Sequence, residues 1–153
     1  MTLDSLTPQQ ATLARQVQAM PIAQALGLAF TRLETGRVEL TVPISEAWSF
    51  RPGQLQATAI FAAADFAAVS AAGSLLPEGW ANATIDGTLK IVAPAVGSHL
   101  VARGRVVDAG RLLTICAAEV YAVRDGQETL CATLLGTARN IAPVSPAATS
   151  APT

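Results

Sequence analysis

Between Arg51 and Glu78 the chain carries a single charged side chain, Asp65, and most of its neighbours are alanine. Few structures accept such a segment. As a helix, residues 55–76 are long enough to span a hydrocarbon core of ~30 Å. Asp65 sits near the middle of that stretch, however, and a carboxylate at mid-bilayer costs about 2.5–3.5 kcal/mol on insertion scales. The segments that follow alternate apolar and polar residues, as half-buried strands do. The reading is therefore a helix over about residues 54–76, apolar all round, buried inside a soluble fold and closed by Pro77-Glu78-Gly79. No membrane partner is expected.

The flanking sequence supplies one more helix and a set of strands. Thr7-Pro8-Gln9-Gln10 has the cap, the first-position proline and the third-position glutamine of a helix start. That helix runs to Met20, before Pro21, and Leu13, Val17 and Met20 share one face as packing residues. Residues 27–33 and 37–43 flank Glu34-Thr35-Gly36 as a hairpin. Val38, Leu40 and Val42 share one face of the second strand, Glu39 and Thr41 the other. Residues 45–50 form a loop that leads into Arg51-Pro52-Gly53. After the long helix come four strands, over 81–93, 99–107, 111–124 and 127–141, the last two joined by the hairpin signal Asp125-Gly126. In the first of the four, Ile85, Leu89 and Ile91 alternate with Thr84, Asp86, Thr88 and Lys90. The order of helix, two strands, long helix and four strands points to an α+β fold, an antiparallel sheet wrapped around one long central helix. The chain divides into an N-terminal helical segment (1–26), one domain (27–141), and a tail (142–153) whose Pro, Ala, Ser and Thr content reads as disordered. A length of 153 residues suits one domain.

Composition removes several function classes. Ten Lys and Arg stand against eleven Asp and Glu, only Lys90 is a lysine, and the sequence has no basic run. The electrostatic footprint of a nucleic-acid partner is missing. Charged residues are 14% of the chain against about 25% in ordinary domains. That leaves surface for another chain to cover, a first hint of an oligomer, with homodimer and homotetramer both open. Met1-Thr2-Leu3-Asp4-Ser5 lacks the basic and apolar regions of a secretory signal, and a cytoplasmic protein is expected. Cys116 and Cys131 form no disulfide framework and read as small buried hydrophobes. No Cys/His spacing suits a metal, and no glycine-rich phosphate loop occurs. His99 is the only histidine, and with no orienting partner in sequence it reads as a packed or solvated side chain. Arg103, Arg105 and Arg111 have two readings, as contacts to phosphates or as solvated strand-edge residues.

Asp65 is the residue that does not fit. A carboxylate among Ala62, Ala63, Ala64, Phe66, Ala67 and Ala68 must find a partner or change its pKa. Groups of that kind concentrate at functional sites. The plainer alternative is a carboxylate that reaches water or bonds a neighbouring loop.

With Asp65 on the long helix, the chain resembles the phenylacetate-pathway (PaaI-like) acyl-CoA thioesterase family of hotdog-fold proteins over roughly residues 27–141. That family carries an Asn, then His-Gly-Gly six residues later, and an Asp or Glu nine residues after that His. Here Phe50 stands at the Asn, Gly53 at a loop glycine, Gln56-Ala57-Thr58 at His-Gly-Gly, and Asp65 at the catalytic carboxylate. A Ser or Thr ten residues before the proline that ends the next strand matches Thr84 before Pro94. The carboxylate and the hydroxyl are present; the Asn and the His are not. The resemblance implies hydrolysis of an acyl-CoA or a related acyl thioester. Asp65 would be general base or nucleophile, the Ala57 N–H the oxyanion donor, and Gln56 and Thr84 would orient water or thioester. Gly53, Thr58 and Phe50 would border the substrate. Coenzyme A enters as part of the substrate, and no metal or other cofactor is implied. Gln56 and Asp65 are nine residues apart, about 13 Å along a helix, so one carbonyl cannot touch both. The resemblance implies sites shared between subunits. The alternative is a non-catalytic hotdog protein that binds an acyl group or acyl-CoA as carrier or sensor. A dehydratase or hydratase, which would pair a His with the carboxylate, ranks below both.

Overall fold

Thr7 opens the first helix of the structure, a computed structural model that describes residues 6–144. Its hydroxyl accepts from the Gln10 N–H, and the Gln10 side chain accepts from the Thr7 N–H. A complete capping box therefore starts α1 (Pro8–Ala19). Met20 is extended, as a residue before proline prefers. Pro21 then begins a short second helix, α2 (Pro21–Leu26), that the sequence reading lacks. The reason is that proline ends one helix and equally suits the first position of the next.

The remaining elements are β1 (Ala29–Glu34), β2 (Arg37–Pro43), a 3-10 turn (Glu46–Trp48), β3 (Ser49–Arg51), β4 (Gln54–Leu55), α3 (Ala57–Gly73), β5 (Ala81–Ile91), β6 (His99–Ala109), β7 (Leu113–Arg124) and β8 (Gln127–Ile141). Six strands make one antiparallel sheet in the order β1-β2-β6-β7-β8-β5, and β3 and β4 pair as a separate ribbon. The fold is α+β, with the sheet curved around α3. The helix is shorter than its apolar stretch, because residues 54 and 55 pair with β3. At its other end the Ser74 hydroxyl donates to the Ala71 carbonyl and accepts from the Gly36 N–H, tying α3 to the β1–β2 turn. The expected tail, 142–153, lies outside the described residues from 145 onward.

Small side chains set the depth of the core. Ala63, Ala64, Ala67, Ala68 and Ala71 are completely buried against the sheet, where Leu40, Val42, Leu100 and Val120 meet them. At Gly104 on β6 the approach is closer still. A Cβ there would overlap the backbone of Ala67 and Ala68. Cys116 and Cys131 are also fully buried and unpaired, and burial pushes both thiols up to about 11.

One irregularity in β5 corrects the alternation read from the sequence. Thr84 pairs with Ala138 and Asp86 with Thr137, which leaves Ile85 as an extra residue. Such a bulge shifts the alternation by one. Asn82 and Thr84 face α3 before it, bonding Val69 and Asp65, and Gly87 and Leu89 face inward after it. Ile85, which the pattern groups with Leu89, is 55% exposed instead.

The outer face of the sheet gathers charge that is scattered in the sequence. Arg32, Arg37, Lys90, Arg103 and Arg105 border one broad groove, together with Glu39 and Glu119. Arg103 donates to Glu39 at 2.8 Å and to both Glu128 oxygens at 2.7 Å, and stacks 4.9 Å above the Tyr121 ring. It holds both carboxyls below the usual carboxylate range.

Gly104→Ala tests the close approach of helix and sheet. The added methyl meets backbone, which cannot rotate away, so a loss of about 3 kcal/mol is expected, at the upper end for overpacking. A fall in the urea midpoint at unchanged slope would register it.

Candidate active site

The sheet leaves one strip of α3 uncovered. Phe61, Ala62, Asp65, Phe66 and Val69 are half-buried, while the positions on either side of the strip are fully buried. These residues recur at helical spacing, so they share a face. Asp65 is the only ionisable group on it. Because of the bulge at Ile85, the Thr84 hydroxyl reaches across from the edge strand β5. It donates to the Asp65 carboxylate, 2.9 Å from Oδ1 and 3.1 Å from Oδ2. Partial burial raises the Asp65 carboxyl above the ordinary carboxylate range, and the Thr84 bond opposes that rise. A carboxylate whose pKa is moved up toward neutrality is a better proton acceptor than a free one.

A cavity of about 420 Å³ opens beside this pair, between α1, α3 and the first half of β5. Asp65 and Thr84 border one end of it. Phe66, Val69, Trp80 and, from α1, Leu13 and Val17 make it largely apolar. A carboxylate at the mouth of an apolar chamber suits a ligand with a polar reacting group and an apolar body.

The other expected residues lie at the start of α3 and do not border this cavity. Gln56 is the N-cap, and its side-chain oxygen accepts from the Thr58 N–H. The Ala59 and Ile60 N–H groups turn back to the Gln56 carbonyl. The Ala57 N–H has no acceptor among the described residues and points out at the positive end of the helix. Gly53 follows Pro52 in the turn between β3 and β4, with φ +72° and its N–H donated to Glu46. Phe50 is 57% exposed, with the Arg51 Cζ 5.2 Å above the centroid of its ring. Within one chain the structure thus unites Asp65 with Thr84 and keeps Phe50, Gly53, Gln56, Ala57 and Thr58 as a second cluster. The two clusters are about 13 Å apart along α3. His99 lies at the start of β6, in the row paired with Pro43 and Val123, and touches Ser98. That is the far end of the sheet from Thr84. Among the described residues no group of His, Cys, Asp or Glu could hold a metal ion. No helix among them is long and apolar enough to cross a membrane.

No protein-family model and no curated protein matches the sequence. Solved structures do. A thioesterase family protein from Silicibacter pomeroyi is 34% identical, with 87% of this chain and 98% of that one covered and a TM-score of 0.83. The chain belongs to the thioesterase family. Acyl thioester hydrolysis is the general chemistry of that family. A thioesterase from Haemophilus influenzae shares the fold at 17% identity, over 96% of this chain and 99% of that one, with a TM-score of 0.79. The PaaI protein of the E. coli phenylacetic acid degradation operon does so at 20% identity, over 92% and 99%, with a TM-score of 0.78. The hotdog fold that the resemblance implied is therefore the fold of this thioesterase.

Sequence reasoning missed the part that α1 plays in the cavity. Its apolar positions carry the signature of packing, and nothing in their spacing says that they pack across a chamber. Asn82 was also missed. It lies two residues before Thr84 on the same face of β5 and donates to the Val69 carbonyl at 2.9 Å.

The raised Asp65 pKa has a consequence for stability. The folded protein holds this proton more tightly than the unfolded chain does, so the ionised group opposes folding at neutral pH. That penalty disappears as pH falls through the folded pKa toward the unfolded value of about 4. Asp65→Asn, which can still accept from Thr84, is expected to melt at a higher temperature than wild type at pH 7. The two melting curves should converge by pH 4, as followed by circular dichroism.

Proposed function

We propose that this thioesterase hydrolyses acyl-CoA, or a related acyl thioester, with Asp65 as the base. The observation that carries the reading is the Asp65–Thr84 pair at the mouth of an apolar chamber. The Asp65 carboxylate takes a proton from water as the water oxygen adds to the thioester carbonyl. The oxyanion then collapses, the C–S bond breaks, and the thiolate takes the proton back from Asp65. One carboxylic acid and one thiol leave. Direct attack by the carboxylate, through an anhydride that water opens, uses the same atoms. Thr84 fixes the plane of the carboxylate, and the chamber takes the acyl body.

The oxyanion needs a donor that one chain does not bring to Asp65. The partner subunit's Ala57, through its unbonded N–H at a helix start, meets that need. The partner subunit's Gln56 keeps a free side-chain NH₂ to orient water or the thioester. Phe50, Gly53 and Thr58 of the partner subunit border the same mouth. Such a site requires at least a homodimer. The edge strand β5 supports that assembly, since its outer side has unpaired backbone groups beside the exposed Ile85, Ile91 and Val92.

The second reading, a non-catalytic protein that binds acyl groups, draws support from Phe50 and Gln56. Neither side chain titrates, and they stand where the resembling family has Asn and His. Thiol release from a panel of short, aromatic and long acyl-CoAs separates the two. On the hydrolase reading Asp65→Asn loses about 10²–10⁴-fold in turnover, the usual worth of a general base. No release from any substrate by wild type, alongside recovery of a bound acyl compound by native mass spectrometry, would favour the binding reading.

Thr84→Val gives a separate test. Loss of the hydroxyl removes the bond that favours the charged form of Asp65, so its pKa moves up further. The acid limb of the kcat/KM profile is then expected at higher pH than in wild type. An unmoved limb would mean that the titrating group is not Asp65.

A further inference from the structure

We propose that α1 is the roof of the acyl chamber and that Leu13, seated on Gly73, sets how far an acyl group reaches into it. The substrates so selected are thioesters of apolar acyl groups larger than a few carbons. This rests on the reading above, in which the thioester carbonyl lies at Asp65.

Three observations carry it. Asp65, Val69 and Gly73 all border the cavity and are spaced by four residues, so they form one straight wall. Eight residues of helix put Gly73 about 12 Å beyond the carboxylate. The cavity of about 420 Å³ is also far larger than the ~150 Å³ that encloses a benzene ring. Finally, the place where Gly73 would carry a side chain is already taken. A Cβ there would lie 3.2 Å from Leu13 Cδ1 and 3.4 Å from the Asn82 amide. Leu13 comes from α1, in the N-terminal helical segment that precedes the sheet. It is buried and belongs, with Ala14 and Val17, to the hydrophobic core cluster. Two bonds hold the α1 end of this contact in place: Gln10 donates to Thr35 at 3.4 Å, and the adjoining Gly36 N–H is fastened to Ser74, next to Gly73. The roof and the wall therefore meet where the β1–β2 turn anchors both.

The test measures binding of non-hydrolysable CoA thioethers with alkyl tails of increasing length, by calorimetry on the full chain. Wild type is expected to bind more tightly as the tail grows, up to a length beyond which affinity no longer rises. In Gly73→Ala that limit should come earlier, with tails near the wild-type limit bound about tenfold more weakly, the low end for one methylene in an apolar pocket. Short tails should bind as before. The new methyl meets only the ends of side chains, which can give by a few tenths of an ångström, and alanine is the better helix former, so this variant keeps the fold even if Leu13→Ala, which should move the limit to longer tails, does not. If Gly73→Ala keeps the wild-type length profile, the gauge is overturned. If wild-type affinity does not depend on tail length, the acyl group lies elsewhere and the proposal is overturned as well. The Asp65 reading fails by a different result, full turnover in Asp65→Asn, so the two failures can be told apart.

Discussion

Everything in this molecule is arranged around the closeness of one helix backbone to one strand. At Gly104 the peptide of Ala67 occupies the space where any other residue would carry its Cβ. The alanines of α3 extend that approach along the helix. Larger side chains would hold the helix off the sheet, as in ordinary layered folds where interaxial and intersheet distances approach ~10 Å. With the helix drawn in, the sheet can curl around it, and a short side chain such as threonine can bridge from strand to helix.

That same approach explains why a carboxylate survives in the alanine run. The sheet covers most of α3 but leaves one strip, and Asp65 is on it. The cost of partial burial is offset only by the hydroxyl of Thr84. Thr84 points the right way because Ile85 is an extra residue in the strand. Without the bulge, Thr84 and Gly87, three residues apart, could not both point inward. A single irregularity thus gives the polar half of β5 to the site and the apolar half to the core, while Ile85 is turned out toward solvent.

How much of this was legible in the sequence varies with the kind of contact involved. The bounds of two long strands were read well: β2 at 37–43 and β8 at 127–141 have the ends expected of them, although β8 carries an extra residue at Cys131. Asp65 stood out because charge is so scarce around it. The faces of β5 were not legible, since a period of two assumes a regular strand and a bulge leaves no mark in composition. Nor was the gathering of Arg32, Arg37, Lys90, Arg103 and Arg105, which depends on strand order rather than on sequence distance. The chamber was hidden for a similar reason. Leu13 and Val17 look the same whether a helix packs against a core or across a gap. Thr84 was expected at the site only through a family resemblance, as a group that orients water or thioester, and its bond to Asp65 was not expected, because 19 residues separate them and local pattern links no such pair.

The two buried cysteines bear on how such a protein lives with its own chemistry. Thiolate, not thiol, attacks disulfides and takes up oxidants. With burial holding both side chains near 11, only about one in 10⁴ would be ionised at neutral pH, and neither has access to solvent. A reaction that liberates thiols would therefore leave Cys116 and Cys131 out of mixed-disulfide exchange with its product. In the folded protein, a thiol-specific dye would see the liberated product and not the polypeptide.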